Sequence, residues 1–241
     1  VTDSSFRLGY VPGVTPAKWA RIWAERLPRT PIELIQVAAA DAVGLVHSAG
    51  ADAALVRLPI DKAGLHAIPL YVEQTVVVVP KDHVVSAVEE VTLDDLADEL
   101  MLNPQDDVLM WERPLPGRVI DERPASTADA IALVAMGTGL LVVPMSLARL
   151  HHRKDLTFRP ITDAPSSQVA LTWPEDAESG LMEEFVGIVR GRTANSTRGS
   201  KPAPEPKKAA AAKKQAPKKQ IRPNKVKGKP GQPTPKRKYK R

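Results

Sequence analysis

Between residues 6 and 190 short apolar runs alternate with amphipathic stretches, and this alternation leaves few architectures open to the chain. "FRLGYV" (6–11) reads as a buried strand closed by the turn signal Pro12-Gly13. Thr15-Pro16 then marks a helix start, with the hydroxyl at the cap and proline at the first helical position. In "AKWARIWAERL" Lys18, Arg21 and Glu25 share one stripe, while Trp19, Ile22, Trp23 and Leu27 lie away from it, so the helix is amphipathic. "IELIQV" (32–37) is a strand, 41–49 a short helix and "ADAALVRL" (51–58) a strand, followed by the strand-like "LHAIPLYV" and "TVVVVP". Strands and helices taking turns imply right-handed crossovers and a mainly parallel sheet.

A second cycle begins near Lys81. "TLDDLADEL" (92–100) predicts a short helix capped by Thr92, and a strand at 100–103 ends at Asn103-Pro104. A loop with Pro114, Pro116 and Gly117 precedes the strand "RVIDE". "STADAIALVAMGTG" opens on Ser126-Thr127, carries an apolar helical body and stops at glycines. "LLVVP" is a buried strand, "MSLARLH" a short helix, and "LTFRPI" and "QVALTW" are strands. "GLMEEFVGIVR" (180–190) sets Leu181, Phe185 and Ile188 on one face. The expectation is an α/β body of two lobes over residues 1–195, with lobe I at about 5–80 and 175–195 and lobe II at about 81–174. Two crossings between lobes make a hinge, and a cleft between lobes is a usual seat for a small ligand.

Charge divides the chain at the same place. From Ser196 onward there are 17 Lys and Arg against the single acid Glu205, leaving 17 basic and 27 acidic residues before it, so a body of −10 adjoins a tail of +16. The tail holds only Ile221, Val226 and Tyr239 as sizeable apolar groups, too few to offset the entropy of ordering, and is expected to be disordered over 196–241. Such asymmetry points to an anionic partner for the tail.

The ordered series of the body resembles the effector-binding domain of LysR-type transcriptional regulators, of the type II periplasmic-binding-protein fold. The resemblance runs over about residues 5–192, through "FRLGYVPGVTPAKWARIWAERLP", "ADAALVRLPIDKAGLHAIPLYVEQTVVVVPKDH", "VTLDDLADELML" and "STADAIALVAMGTGLLVVPMSLARL". It implies a small effector between the lobes, expected to be anionic (a carboxylate) from the helix N-termini and Arg57 that face it, and a homodimer in which the first helix takes part. With no secretory signal at the N-terminus and no apolar run long enough to span a bilayer, a cytoplasmic location is expected. Family members carry a winged helix-turn-helix before this domain, whereas here the first domain strand begins at Phe6. The expectation is therefore that the tail, if anything in this chain, touches DNA.

Several residues follow as candidates. In the resembled family the loop between first strand and first helix lines the cleft, which singles out Gly13, Val14 and Thr15, next to the positive end of a helix. The alternative for Thr15 is a plain helix cap. Arg57 closes "ADAALVR" at the carboxyl end of a strand, where a guanidinium clamps a carboxylate or, alternatively, pairs with Asp61 on the surface. Ser126 and Thr127 begin a second helix, as effector donors or as a cap, and Asn103 is a further candidate on that wall.

For the tail, phosphate contacts are assigned to Lys207, Lys208, Lys213, Lys214, Lys218, Lys219, Arg222, Lys225, Lys227, Lys229, Lys236, Arg237, Lys238, Lys240 and Arg241. With one aromatic residue and no recognition element, these contacts position without specifying sequence. Acidic lipid competes as a partner, but the tail has no apolar face to insert.

No cysteine is present, so disulfides and thiolate chemistry are absent. His47, His66, His83, His151 and His152 show no metal-ligand spacing, and no cofactor motif or nucleophile–base set is evident, so neither a metal site nor an enzyme is expected. A solute-binding protein for transport, which shares the fold, is the alternative reading.

Overall fold

The computed structural model describes residues 5–177 and 180–192. The tail residues 196–241, and every phosphate contact assigned to them, lie outside the described residues.

Two five-stranded sheets form two lobes. The first has the order β2-β1-β3-β10-β4, built from β1 (Phe6–Tyr10), β2 (Ile32–Gln36), β3 (Ala53–Leu58), β4 (Leu65–Glu73) and β10 (Ser167–Pro174). The second has the order β7-β6-β8-β5-β9, built from β5 (Thr75–Pro80), β6 (Leu100–Leu102), β7 (Arg118–Val119), β8 (Leu140–Pro144) and β9 (Leu156–Pro160). Helices α1 (Ala17–Arg26), α2 (Ala42–His47), α3 (Thr127–Ala135), α4 (Met145–Leu150) and α5 (Gly180–Val189) pack around them.

The sheets are mixed rather than mainly parallel. β1 runs parallel to β2 and β3, and β6 to β7 and β8, as alternation demands. The strands that enter and leave the second lobe break the pattern. β10 is antiparallel to β3 and β4, and β5 is antiparallel to β8 and β9. The chain changes sheet at Gln74, between β4 and β5, so "TVVVVP" belongs to the second sheet; β10 brings it back to the first.

Burial explains these strands. Val76 and Val78 face one side of the second sheet with Ile131 and Val134 of α3, while Val77 and Val79 face the other with Leu96 and Met101. A strand covered on both faces reads as an unbroken apolar run. In the first lobe Trp23 is fully buried, stacked on Phe6 at 4.7 Å and edge-on to Phe185 at 5.9 Å, with its Nε1 donating to the Thr30 carbonyl at 2.8 Å. Trp19, one turn earlier, is half-buried against the same cluster.

Two local expectations change. The 92–100 helix contracts to a single 3-10 turn, Asp94–Leu96, because Asp95 folds back to accept from both Thr92 N–H and Thr92 Oγ1, and Leu100 already enters β6. Pro16, not Thr15, occupies the N-cap of α1, and no side chain caps that helix.

Candidate functional site

The hinge strands, the β1–α1 loop and α4 converge on one guanidinium. Arg57 sits near the end of β3 with its side chain 4% exposed. Its Nε donates to Glu73 Oε2 at 2.9 Å, its Nη1 to the Pro12 carbonyl at 2.8 Å and its Nη2 to Ser146 Oγ at 3.0 Å. Ser167 Oγ reaches the same Glu73 oxygen at 3.4 Å. Glu73 ends β4 and Ser167 begins β10, so the network ties the two strands next to the lobe crossings to the β1–α1 loop and, through Ser146, to the second lobe. Asp61 does not pair with Arg57; its Oδ1 accepts from Ala63 N at 3.0 Å.

Two cavities flank this network. The inner one, about 230 Å³, is lined from the first lobe by Pro12, Gln36, Ala38, Ala39 and Arg57, and from the second by Asp106, Val108, Ser126, Thr127, Ala128, Leu147, Leu150 and His151. Its wall is mostly apolar, with polar groups at the N-terminus of α3. There Ser126 Oγ caps the helix by accepting from Asp129 N at 3.2 Å, and the buried Thr127 hydroxyl donates to Asp106 Oδ1 at 2.9 Å. The outer groove, about 780 Å³, is lined by Gly13, Val14, Thr15, Lys18 and Trp19 of the first lobe, by Tyr71–Gln74, and by Met145, Ser146, Arg149 and Leu150 of α4.

The candidates from sequence therefore divide. Arg57, Ser126 and Thr127 line the inner cavity, and Gly13, Val14 and Thr15 line the outer groove. Asn103 lines neither; its side-chain oxygen and its carbonyl both accept from Arg123, at 3.3 and 3.0 Å. Ser126 is a cap in fact, whereas Thr15 is exposed and not used as one. Sequence reasoning passed over Glu73, Ser146, Asp106 and Lys18. A lone acid in the otherwise uncharged "LYVEQTVVVV" was the available signal for Glu73, since burial there demands a cation.

Burial pushes the Tyr71 phenol upward and neighbouring Glu73 adds to it, while Arg57 opposes. Burial also raises the Asp107 carboxyl, against hydrogen bonds from Leu109 N at 3.0 Å and Trp111 Nε1 at 2.9 Å. Among the described residues no group of three or more His, Asp or Glu is placed to hold a metal ion, and no helix is long and apolar enough to cross a membrane.

Comparison with known proteins gives a consistent outcome. The family model described as LysR substrate binding domain matches residues 4–194. A probable hydrogen peroxide-inducible genes activator of Mycobacterium avium is 27% identical over 154 residues, covering 59% of this chain and 50% of the relative. The chain thus spans about half the length of that relative. The Hca operon transcriptional activator HcaR of Escherichia coli (strain K12) is 25% identical over 211 residues, covering 81% of this chain and 70% of HcaR. Among solved structures, the BenM effector binding domain with its effector benzoate superposes with TM-score 0.65 at 19% identity, over 79% of this chain and 92% of that one. The oxidised form of OxyR gives TM-score 0.63 at 20% identity, over 78% and 94%. These last two likenesses establish the fold.

Proposed function

The chain belongs to the LysR substrate binding domain family, a family of transcriptional regulators and not of enzymes, and on that premise we propose that it is the sensing part of a regulator that holds a small carboxylate between its lobes. The observation that carries this reading is the inner cavity of about 230 Å³, walled by both lobes, apolar over most of its surface and with the N-terminus of α3 in its lining. An apolar wall takes the body of a compact acid, and the α3 terminus favours its negative end. BenM is named with benzoate as its effector, which makes benzoate the first probe to try here. Three relatives are named for a response to hydrogen peroxide, but this sequence contains no cysteine for peroxide to oxidise, so a bound molecule is the better input.

The reading extends to the rest of the chain. The tail from Ser196, with 17 basic residues against one acid, binds nucleic acid through phosphate contacts and without sequence preference. The protein works in the cytoplasm as a homodimer, with the half-buried Trp19 face of α1 contributing to the contact.

Thermal unfolding with benzoate and related monocarboxylates tests the cavity. At a hundredfold excess over Kd a ligand of the folded state adds about 2.7 kcal/mol of stability. Ala39→Phe places a ring in the cavity from an exposed backbone position and should abolish that gain with the fold intact. Equal stabilisation of the variant by the same acids would overturn the assignment. Sedimentation of the full chain reads the dimer.

A further inference from the structure

We propose that Asp106 sets the specificity of the inner cavity, selecting compact acids that also carry an O–H or N–H donor; the inference rests on the reading of that cavity as an acid-binding site. Of the Asp, Glu, Lys and Arg side chains in the wall, Arg57 is matched by Glu73 at 2.9 Å and spends its other groups on the Pro12 carbonyl and Ser146. That leaves Asp106, which makes no ion pair among the described residues. Its Oδ1 accepts from the Thr127 hydroxyl at 2.9 Å, and its Oδ2 has no hydrogen bond among the described residues. The neighbouring hydroxyls have no proton left for it, since Ser126 Oγ donates to Asp129 Oδ2 at 2.7 Å and Thr127 already serves Oδ1.

A plain carboxylate in this cavity gains the first N–H groups of α3 but stands against the Asp106 charge uncompensated. A hydroxyl or ammonium on the same ligand donates to Oδ2 and turns the repulsion into a charge-assisted bond. The carboxylate is held ready for that role. Thr127, which fixes it, is 3% exposed. On one side of Asp106 the chain is tied by Asp107, which accepts from Leu109 N at 3.0 Å and Trp111 Nε1 at 2.9 Å. On the other, Arg123 donates to the carbonyls of Asn103 and Pro104 at 3.0 and 2.7 Å, and Gln105 N to the Pro124 carbonyl at 2.9 Å. With the chain fixed before and after it, Asp106 has little ordering left to lose when a ligand arrives.

Isothermal titration calorimetry of the full chain with benzoate, the hydroxybenzoate isomers and their methyl ethers tests this. At least one hydroxy isomer should bind about tenfold tighter than benzoate, as for a hydrogen bond to a charged group, and its methyl ether should lose the gain. Aminomethylbenzoates read an ammonium donor in the same way. Asp106→Asn keeps an oxygen for Thr127 while removing the charge, and the exposed position of Asp106 lets the variant fold as the parent does. In it the donor-bearing acid should weaken about tenfold, while benzoate tightens about twofold because its repulsion is gone. A merely structural Asp106 would weaken both acids alike. That result, or benzoate binding as tightly as every donor-bearing acid, would overturn the inference and leave the cavity reading in place. If no acid binds, or Ala39→Phe leaves their binding unchanged, the cavity reading fails and this inference fails with it.

Discussion

A Cβ placed on Gly13 would stand 2.7 Å from Ser146 Oγ and 3.0 Å from Arg57 Nη2, so the β1–α1 loop of one lobe lies against α4 of the other with no room for a side chain. Gly13 also has φ +84°, a conformation that other residues adopt only with strain. Gly13→Ala should therefore lose about 1–3 kcal/mol in urea denaturation from backbone strain. In a Ser146→Ala background part of the loss should return, since the nearest obstructing atom is gone while the strained φ remains. A double-mutant cycle with no coupling would show that loop and helix are apart in solution.

The Arg57–Glu73 pair is sealed, with side chains 4% and 6% exposed. Removing one partner of a buried pair leaves an uncompensated charge, and Arg57→Ala should cost about 3–5 kcal/mol. Replacing both, as Arg57→Met with Glu73→Leu, should return most of that stability, because desolvation of the charges disappears with them. If the pair serves to hold the lobes in register, the double variant will be stable yet lose its benzoate response. Equilibrium unfolding together with the ligand shift separates the two effects.

Much of this fold was legible in the chain because its strands are covered on both faces. The "TVVVV" and "LLVVP" runs could be nothing else, and Ser126 with Gly137 and Gly139 bracketed α3 correctly. Direction was harder to read. An antiparallel partner for β5 depends on strands far along the chain, and no local pattern encodes that pairing. Thr92 illustrates competition between local signals: the same hydroxyl that suits a cap closed a tight turn with Asp95 instead. Arg57 was visible as a lone charge at a strand end, but its partner was not, because Glu73 becomes a neighbour only after β10 pairs with both β3 and β4.

Stability should depend on pH through Asp107 with a sign opposite to that of an ordinary paired carboxylate. Burial raises its folded value above that of the unfolded chain. The folded state then holds the proton more tightly, so the contribution is fully present below about pH 3.9 and is lost as pH rises through the raised folded value. Asp107→Asn removes the titration. The parent should therefore lose stability relative to this variant as pH climbs from about 4 toward neutrality. Asp95, held low by Thr92, provides the opposite control: its contribution exists above the unfolded range and fades with acid. Urea midpoints at several pH values read both slopes.

On the proposed reading the tail's interaction with nucleic acid should be governed by salt, because a segment with 17 basic residues and one acid after residue 195 would bind by releasing condensed counterions. If about 6–10 phosphates are neutralised, affinity for duplex DNA should fall about 10³–10⁵ between 50 and 200 mM salt. Sequence should matter little across that range. Converting Lys236, Arg237, Lys238 and Lys240 to Gln should flatten the log–log slope by about 0.9 for each phosphate no longer neutralised. Truncation after residue 195 should remove retention altogether while leaving the benzoate-dependent gain in stability unchanged. DNA held by the acidic body alone, or affinity indifferent to salt, would show that interactions other than charge neutralisation in the tail carry the binding.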